Sequence, residues 1–393
     1  MGAEGEHVQA LVRDFERENP GVRVRAQGIP WTAAHEKLLT AYVGEATPDV
    51  SQIGNTWVPE FAALGAVERL DPYVAASSVV RPEGYFRGIW DTNVVDGGAY
   101  GVPWYVDTRC LFYRTDILAA AGYTSMPTTW AEWREAMRRM KARMGPRQYP
   151  ALLPTNEWPQ PVIFGMQAGS PLLKEGGRYG AFSDSAFRRA FEFYVGLFRD
   201  GLAPAVSSAE VSNLFQEFAR GNIAMYITGP WNIGEFSRRL PPEMQGKWMT
   251  APLPGHTGPG VSMAGGSSLV LFRASRHKPE AWQLVEWMLE PAQQLRFYRL
   301  TGDLPAHREA WRDTALSANP YMRAFRDQLE RTEPLPKVPE WEEITTKIYG
   351  AVEVVVRGRS TVDRALAALD RDVDQLLEKR RWLLARRAVA RRP

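Results

Sequence analysis

The chain has 393 residues, of which 45% are hydrophobic, 24% charged and 11% aromatic. A single core rarely supports this length, so two domains are expected, and the composition argues against a globally disordered or coiled-coil protein. No apolar run approaches the roughly 18 residues of a membrane-spanning helix, which argues against an integral membrane protein.

The net charge of +3, from 48 basic and 45 acidic residues, is unevenly distributed. Seven bases and no acid lie between Lys379 and Pro393, so the other 378 residues carry 41 bases, 45 acids and a net charge of −4. An acidic body argues against nucleic-acid binding. The basic tail is interpreted as a solvated extension of the last helix, and contact with an anionic membrane is the alternative.

The cysteine and histidine content argues against a metal or cofactor site. The single cysteine, Cys110, excludes an internal disulfide and a multi-cysteine metal cluster, and its apolar neighbours predict a buried, inert thiol. The five histidines show no metal-ligand spacing, and no glycine pattern typical of nucleotide binding occurs in a suitable context. We therefore expect no cofactor and no metal.

Predicted helices and strands alternate in the first part of the chain. An apolar stripe with helical spacing predicts a first helix that contains Val8, Leu11, Val12 and Phe15. The alternating segment Val22–Arg25 predicts a half-buried strand. A helix over 33–42 and a short strand over 48–53 are predicted next. This order is typical of parallel strands with helical crossovers and indicates the α/β class.

The pattern begins again after about residue 106. Thr129 is expected to cap a helix that contains Trp130 and Trp133. Pro252–Gly260, with three prolines and three glycines, is the clearest predicted linker. The other predicted helices cover 187–199, 211–220, 280–289, 291–300, 341–356 and the chain from 361 onward, and the other predicted strands cover 223–227 and 268–272.

Tryptophans placed in loops are the most informative feature of the sequence. Five of the 14 tryptophans lie beside Pro, Gly or Asn at the edge of an element, and they are Trp31, Trp57, Trp104, Trp158 and Trp231. Polar side chains within a few residues of them are Asn55, Asp107, Asn156, Glu157 and Gln160. A flat ring suits the apolar face of a pyranose, and amides and carboxylates bond its hydroxyls. For each ring core packing is the alternative, but the set favours a carbohydrate site.

Several sequence blocks resemble the family 1 extracellular solute-binding proteins. The match runs nearly from end to end, and the order and spacing of the blocks carry it. In chain order the blocks are Glu18-Asn19-Pro20-Gly21-Val22-Arg23-Val24, Pro48-Asp49-Val50, Tyr100-Gly101-Val102-Pro103-Trp104-Tyr105-Val106-Asp107-Thr108, Pro127-Thr128-Thr129-Trp130, Gly221-Asn222-Ile223-Ala224-Met225, Gly229-Pro230-Trp231 and Gly302-Asp303-Leu304-Pro305.

The resemblance implies a non-enzymatic, monomeric receptor that captures a di- or oligosaccharide and delivers it to the permease of an ABC importer. It implies the type II periplasmic-binding-protein fold, an α/β fold of two lobes that close on ligand about a three-crossing hinge. Crossings are expected near Asp107–Arg109, Gly260–Met263 and Leu304–Ala306. The N-terminal lobe would be 1–107 plus 262–304, and the C-terminal lobe 108–261 plus 305–393, with the basic tail at 379–393.

The resemblance also implies which residues contact the ligand. Loops that bind sugar in maltodextrin-type relatives match segments here that contain most of the loop tryptophans. Carried over position by position, the implied ligand contacts are Trp31, His35, Asn55, Trp57, Trp104, Asp107, Arg109, Asn156, Glu157, Trp158, Trp231 and Gly266.

The chain departs from the family at its front. Relatives begin with a strand before the first helix and carry an export signal, whereas Met1–Glu6 is acidic and lacks the apolar region of a signal peptide. The expectation is that the natural protein is exported and is periplasmic or extracellular, either free or lipid-anchored, and that this chain lacks its first strand.

Two other functions remain open at this point. A glycoside hydrolase needs two carboxylates flanking one bond, and Asp107 and Glu157 are the obvious pair. A receptor for a glycerophosphodiester or another polyol would need cations at the ligand, of which Arg109 is the candidate. The sequence alone does not identify the sugar.

Overall fold

The structure, a computed structural model, describes residues 1–2 and 4–390, with side chains up to residue 386. The helices are α1 (Glu4–Glu18), α2 (Trp31–Val43), α3 (Val58–Ala63), α4 (Asp71–Ala76), α5 (Arg87–Asp91), α6 (Thr115–Ala120), α7 (Trp130–Lys141), α8 (Pro159–Gln167), α9 (Ser185–Arg199), α10 (Leu214–Ala219), α11 (Trp231–Arg239), α12 (Lys278–Leu289), α13 (Pro291–Thr301), α14 (Thr314–Ser317), α15 (Pro320–Leu329), α16 (Trp341–Val356), α17 (Val362–Leu376) and α18 (Glu378–Ala390). Among the described residues, no helix combines the length and the apolar character needed to cross a membrane.

The strands are short, and many of them have two residues. They are β1 (Val50–Gly54), β2 (Val94–Val95), β3 (Gly98–Ala99), β4 (Val102–Asp107), β5 (Cys110–Arg114), β6 (Tyr149–Leu152), β7 (Leu173–Lys174), β8 (Tyr179–Gly180), β9 (Ile223–Thr228), β10 (Trp248–Ala251), β11 (Ser262–Met263), β12 (Gly265–Leu271), β13 (Leu304–Pro305) and β14 (Thr332–Glu333).

The chain divides into two compact units. The first unit contains Met1–Thr108, Ala264–Met322 and Thr332–Pro339, and the remaining segments form the second. This division differs from the expected boundaries chiefly because 305–322 and 332–339 belong to the first unit. For the segment that begins at Pro305 the contacts are local: Pro305 continues the first unit's sheet opposite Tyr105, and its carbonyl accepts a hydrogen bond from Trp311 Nε1 at 2.9 Å.

The first unit is built on one four-stranded sheet in the order β1-β12-β4-β13. Its described pairs are antiparallel, and Gly265 at the start of β12 lies opposite Asp107 at the end of β4. The first predicted helix is confirmed as α1, which buries Leu11, Val12 and Phe15 as the apolar stripe requires. Phe15 packs edge to face against Trp287 of α12, with the ring centroids 5.7 Å apart.

The predicted strand at Val22–Arg25 is wrong. The structure assigns no strand there, and two backbone polar groups, one in this segment and one directly after it, bond to side chains of α1. The amide of Val24 donates to Glu16 Oε1 at 2.8 Å, and Gln9 Nε2 donates to the carbonyl of Ala26 at 3.2 Å. These side chains satisfy the backbone amide and carbonyl groups without a neighbouring strand. Two alternating valines were therefore not enough to predict a strand.

The second unit is built on a sheet in the order β10-β5-β9-β6. Only β6 and β9 pair in parallel in the described part of the two four-stranded sheets, so the predicted parallel arrangement is wrong for the other pairs. Cys110, at the start of β5, is fully buried as predicted. Thr129 caps α7 as predicted, because its Oγ1 accepts from the amide of Glu132 at 3.3 Å. Trp133 is fully buried and belongs to this unit's core.

Candidate functional site

Two loop tryptophans meet in the first unit. Trp31 is the first residue of α2, directly after Pro30, and Trp57 ends a 3₁₀ turn that follows β1. Their ring centroids are 5.6 Å apart with an interplanar angle of 69°, an edge-to-face contact. Both rings are partly exposed. The sequence therefore places two flat apolar surfaces beside each other at the ends of separate elements.

A hydrogen-bond network holds Trp31 in place. Glu4 Oε1 accepts from Trp31 Nε1 at 3.2 Å and from the hydroxyl of Tyr105 at 3.0 Å. Burial raises the pKa of Tyr105 well above its usual value, with Glu4 adding to the effect, so the hydroxyl stays protonated and donates. Neither Glu4 nor Tyr105 was predicted from the sequence as part of the site. Their positions in the sequence could have identified them, because Glu4 lies in the first turn of α1 and Tyr105 lies two residues before Asp107.

His35 packs against Trp57. Its ring lies 4.9 Å from that of Trp57, centroid to centroid, and its Nε2 is 2.6 Å from Glu60 Oε2. The imidazole is therefore held between an aromatic ring and a carboxylate on neighbouring helices. Its implied contact with ligand stays a prediction.

Asn55 and Trp104 are buried within the first unit. Asn55 is 7% exposed, and its Nδ2 donates to the carbonyl of Ala264 at 2.8 Å. Trp104 is 3% exposed and stacks on Phe297 at 4.3 Å between centroids. In this structure both side chains pack inside the unit and expose little surface to a ligand. Trp104 is therefore not among the ligand contacts that we propose.

Three carboxylates gather near the end of β4. Asp107 is the last residue of β4, and the antiparallel pairing of Leu304 with Val106 places Asp303, which directly precedes β13, next to Asp107. Burial raises the pKa of Asp303 to about 7, and the negative charges of Glu4 and Asp107 add to the shift. Among the described residues, Asp303 Oδ2 has no hydrogen-bond partner. Asp303 was expected only as part of a family sequence block, and this cluster of carboxylates was not predicted from the sequence.

Gly266 of β12 leaves no room for a side chain against the backbone of β4. Its φ is +123°, and a Cβ at this position would lie 2.3 Å from the carbonyl oxygen of Tyr105 and 2.9 Å from Val106 Cα. The pairing register shifts one residue later, between Ser267 and Ser268. A glycine is therefore required here by backbone geometry, whether or not it also contacts ligand.

We expect Gly266→Ala to lower the free energy of unfolding by about 2 kcal/mol or more, because it combines an unfavourable φ with a backbone clash. Chemical denaturation measures the change. Gly21→Ala is the matched control, because a Cβ there meets nothing within 4 Å and the substitution should change stability little. Equal stability of the two variants would contradict the steric account.

Trp231 is a strongly exposed tryptophan of the second unit. Trp231 is the first residue of α11, follows Gly229-Pro230 and is 46% exposed. A Cβ at Gly229 would lie 1.9 Å from the ring, so glycine is needed for the ring to lie over this backbone. The guanidinium of Arg109 lies 4.7 Å from the ring centroid, a cation–π contact that holds the ring in place.

A carboxylate and a phenol of the same unit, Glu157 and Tyr226, lie close enough to interact, and Arg109 also acts on the phenol. Gln160 Nε2 donates to Glu157 Oε2 at 2.8 Å, and Glu157 also interacts with Tyr226. Burial raises the pKa of Tyr226 to about 12, with Glu157 as the next cause, so this hydroxyl is protonated at neutral pH. Tyr226 is a further polar group that the sequence analysis missed, since its place in β9 gave no functional signal.

Two predicted site residues point to other partners. Asn156 is exposed, and its Oδ1 accepts from the amide and the hydroxyl of Ser208 at 2.8 and 2.9 Å. Trp158 is partly exposed and packs edge to face against Trp341 at 6.1 Å. The structure thus joins Arg109 with Trp231, whereas Asn156 and Trp158 take part in separate contacts. Among the described residues no group of His, Cys, Asp and Glu has the geometry to hold a metal ion.

Comparison with known proteins identifies the family. The sequence profile of the bacterial extracellular solute-binding proteins matches residues 2–295. The chain is 50% identical to the sugar-binding protein MalE of Xanthomonas citri, with 98% of each chain covered and a TM-score of 0.96, so the two share one fold. It is 27% identical to a putative binding protein of Brucella abortus, covering 95% of this chain and 90% of that protein. It is 25% identical to the diacetylchitobiose-binding protein of Streptomyces coelicolor, covering 90% and 83% respectively. The chain belongs to the bacterial extracellular solute-binding protein family, as the sequence blocks predicted.

Proposed function

We propose that this protein is the receptor of an ABC importer, that it binds a di- or oligosaccharide without changing it chemically, and that it passes the sugar to the permease. The family is one of extracellular binding proteins, and the MalE of Xanthomonas citri, at 50% identity, is described as a sugar-binding protein. The protein would act in the periplasm or outside the cell, where such a permease collects its substrate.

The exposed ring of Trp231 is the observation that carries the proposal. A side chain of this size that is 46% exposed at the start of a helix supports little of the core, so its role lies outside packing. A tryptophan face matches the C–H face of a pyranose, and the Arg109 guanidinium beside it can donate to sugar hydroxyls.

The first unit also contains groups that suit a sugar. Trp31 and Trp57 provide flat apolar surfaces, and Glu4 and Asp107 provide oxygens that accept hydrogen bonds from hydroxyls. A sugar hydroxyl can donate a hydrogen bond to a carboxylate and accept one from an arginine. One neutral sugar can therefore bind to acidic and basic side chains at the same time. We propose these residues, together with Arg109, Glu157 and Trp231, as the ligand contacts.

The charge of the first unit's cluster favours a neutral sugar over a phosphorylated polyol. Glu4, Asp107 and Asp303 bring three carboxyl groups close enough to influence one another. An added phosphate would be repelled by this cluster, whereas phosphate sites generally present clustered cations or a glycine-rich helix start. The receptor for a glycerophosphodiester is therefore the less favoured alternative.

A sugar that binds the folded state should stabilise it. At about 100 times Kd, we expect the free energy of unfolding to rise by about 2.7 kcal/mol, seen as a higher Tm in a panel of disaccharides, oligosaccharides and polyol phosphates. Stabilisation by a sugar and none by the polyol phosphates supports the proposal. Stabilisation by the phosphates alone would replace the sugar with a phosphorylated ligand.

Hinge closure stays a prediction that rests on the resemblance. Ligand that contacts two lobes favours the closed arrangement. Small-angle scattering of the protein with a stabilising sugar should therefore show a smaller radius of gyration than without it. An unchanged radius at saturation would count against closure while leaving sugar binding intact.

A further inference from the structure

The last described helix, α18, has two different faces. One face is anchored to the second unit through arginines: Arg380 Nε donates to the carbonyl of Gly177 at 3.1 Å, and Arg381 Nη1 donates to the carbonyl of Arg178 at 2.9 Å. The Arg381 guanidinium also lies 4.8 Å from the ring centroid of Tyr179. These contacts fix the orientation of the helix on the protein.

The opposite face is exposed and carries an unusual combination of side chains. This outer face of α18 consists of Lys379, Trp382, Leu383 and Arg386, at spacings of i, i+3, i+4 and i+7. Trp382 is 55% exposed and Leu383 42%, two adjacent large apolar side chains in water. The Arg386 guanidinium lies 4.6 Å from the ring centroid of Trp382.

The charge of this region is opposite to that of the rest of the chain. From Lys379 to Pro393 the sequence has seven bases and no acid, whereas the other residues carry 45 acids and 41 bases. An anionic surface would attract the basic outer face of α18 and repel the rest of the protein, which has a net negative charge. It would therefore orient the protein with α18 towards the surface. The solvated extension expected from sequence accounts for the arginines but does not explain an exposed tryptophan and leucine between the cations.

We propose that the outer face of α18 binds the anionic lipid headgroups of a membrane surface. Tryptophan prefers the boundary between headgroups and acyl chains, and flanking lysine and arginine bind the phosphates. Two apolar side chains give little hydrophobic binding, so the attachment depends on the cations, is reversible and weakens with salt. This proposal does not depend on which ligand the protein carries; for a receptor that serves a permease, it would keep the protein at the membrane.

Vesicle sedimentation with the full chain tests the proposal. The protein should bind vesicles that contain phosphatidylglycerol at about 50 mM salt, dissociate at about 500 mM, and bind phosphatidylcholine vesicles weakly at both. K379E/R386E should weaken binding by at least about 25-fold, given roughly fivefold for each cation lost. W382A/L383A should weaken vesicle binding at about 50 mM salt, because it removes the two apolar side chains and keeps the cations.

R13E/K37E is the matched control, because it makes the same change in net charge at two exposed positions of the first unit. It should keep most of the vesicle binding. The variants' Tm values, with and without a stabilising sugar, show that folding and sugar binding are intact and separate this test from that of the proposed function. The proposal would be overturned if the protein did not bind vesicles at low salt, if it bound both lipids equally, or if R13E/K37E lost as much vesicle binding as K379E/R386E. Binding of the outer face of α18 to an acidic protein instead of a membrane would not rescue it.

Discussion

Replacing Trp231 by alanine is expected to lower sugar affinity by about 30- to 1000-fold, the range of a truncated hot-spot aromatic. The ring is 46% exposed and is held by a cation–π contact with Arg109, so its loss removes a ligand surface and little of the core. The Tm without ligand should therefore change by only a few degrees, consistent with an exposed site. Titration calorimetry with the sugar that stabilises the wild type measures the affinity.

Two tryptophan variants serve as controls for Trp231→Ala. Trp382→Ala removes a ring that is 55% exposed in the same unit and should leave sugar affinity unchanged. Trp133→Ala removes a fully buried ring and should lower the free energy of unfolding by about 3–5 kcal/mol. If Trp231→Ala behaved like Trp133→Ala, with a collapse of Tm, the residue would belong to the core; unchanged affinity would remove it from the site.

Asp303→Asn is expected to stabilise the ligand-free protein at alkaline pH and to have little effect near pH 4. The pKa of Asp303 is raised from 3.8 to about 7, mainly by burial and then by Glu4 and Asp107. Between these values the folded state binds a proton that the unfolded state has released, so stability falls as the pH rises from about 4 to about 7. At 1.36 kcal/mol per pKa unit, the full penalty at pH 8 is about 4 kcal/mol.

The asparagine variant avoids this penalty because its side chain carries no charge at any pH. Urea unfolding of both proteins from pH 4 to pH 8, without sugar, should show a stability difference that grows with pH and levels off above about pH 7. Asp372→Asn is the control, because Asp372 is exposed on α17 and its variant should differ from the wild type by a constant small amount. A pH-independent difference for Asp303→Asn would contradict the buried, charge-crowded environment of this carboxyl group.

The sequence predicted most helices and several strands because their signals are local. The stripe of Leu11, Val12 and Phe15 is one example, and the cap at Thr129 is another. Pairing is different, because it depends on segments far apart in the chain: β12 lies between β1 and β4, more than 150 residues from either. No local pattern reports that arrangement, so parallel pairing was predicted where most described pairs are antiparallel.

In the candidate site, too, residues with a local sequence signal were predicted, whereas residues whose role depends on distant segments were missed. Trp31, Trp57 and Trp231 were identified by their position beside Pro, Gly or Asn, and all three are at least partly exposed. Trp104 has the same local setting but is covered by Phe297, which is distant in sequence. The roles of Glu4 and Tyr105 likewise arise only when α1 and β4 come together, through a hydrogen bond between residues 101 positions apart.

The central claim is that the protein binds a sugar and leaves it intact. The most direct test titrates the stabilising di- or oligosaccharide into the protein by calorimetry and then recovers the sugar for chromatography after prolonged incubation. We predict saturable binding of one sugar per chain, with the sugar recovered unchanged and no reducing ends released. Hydrolysis would require two carboxylates acting on one glycosidic bond and would identify an enzyme. Release of shorter sugars, or the absence of saturable binding by every sugar in the panel, would contradict the account.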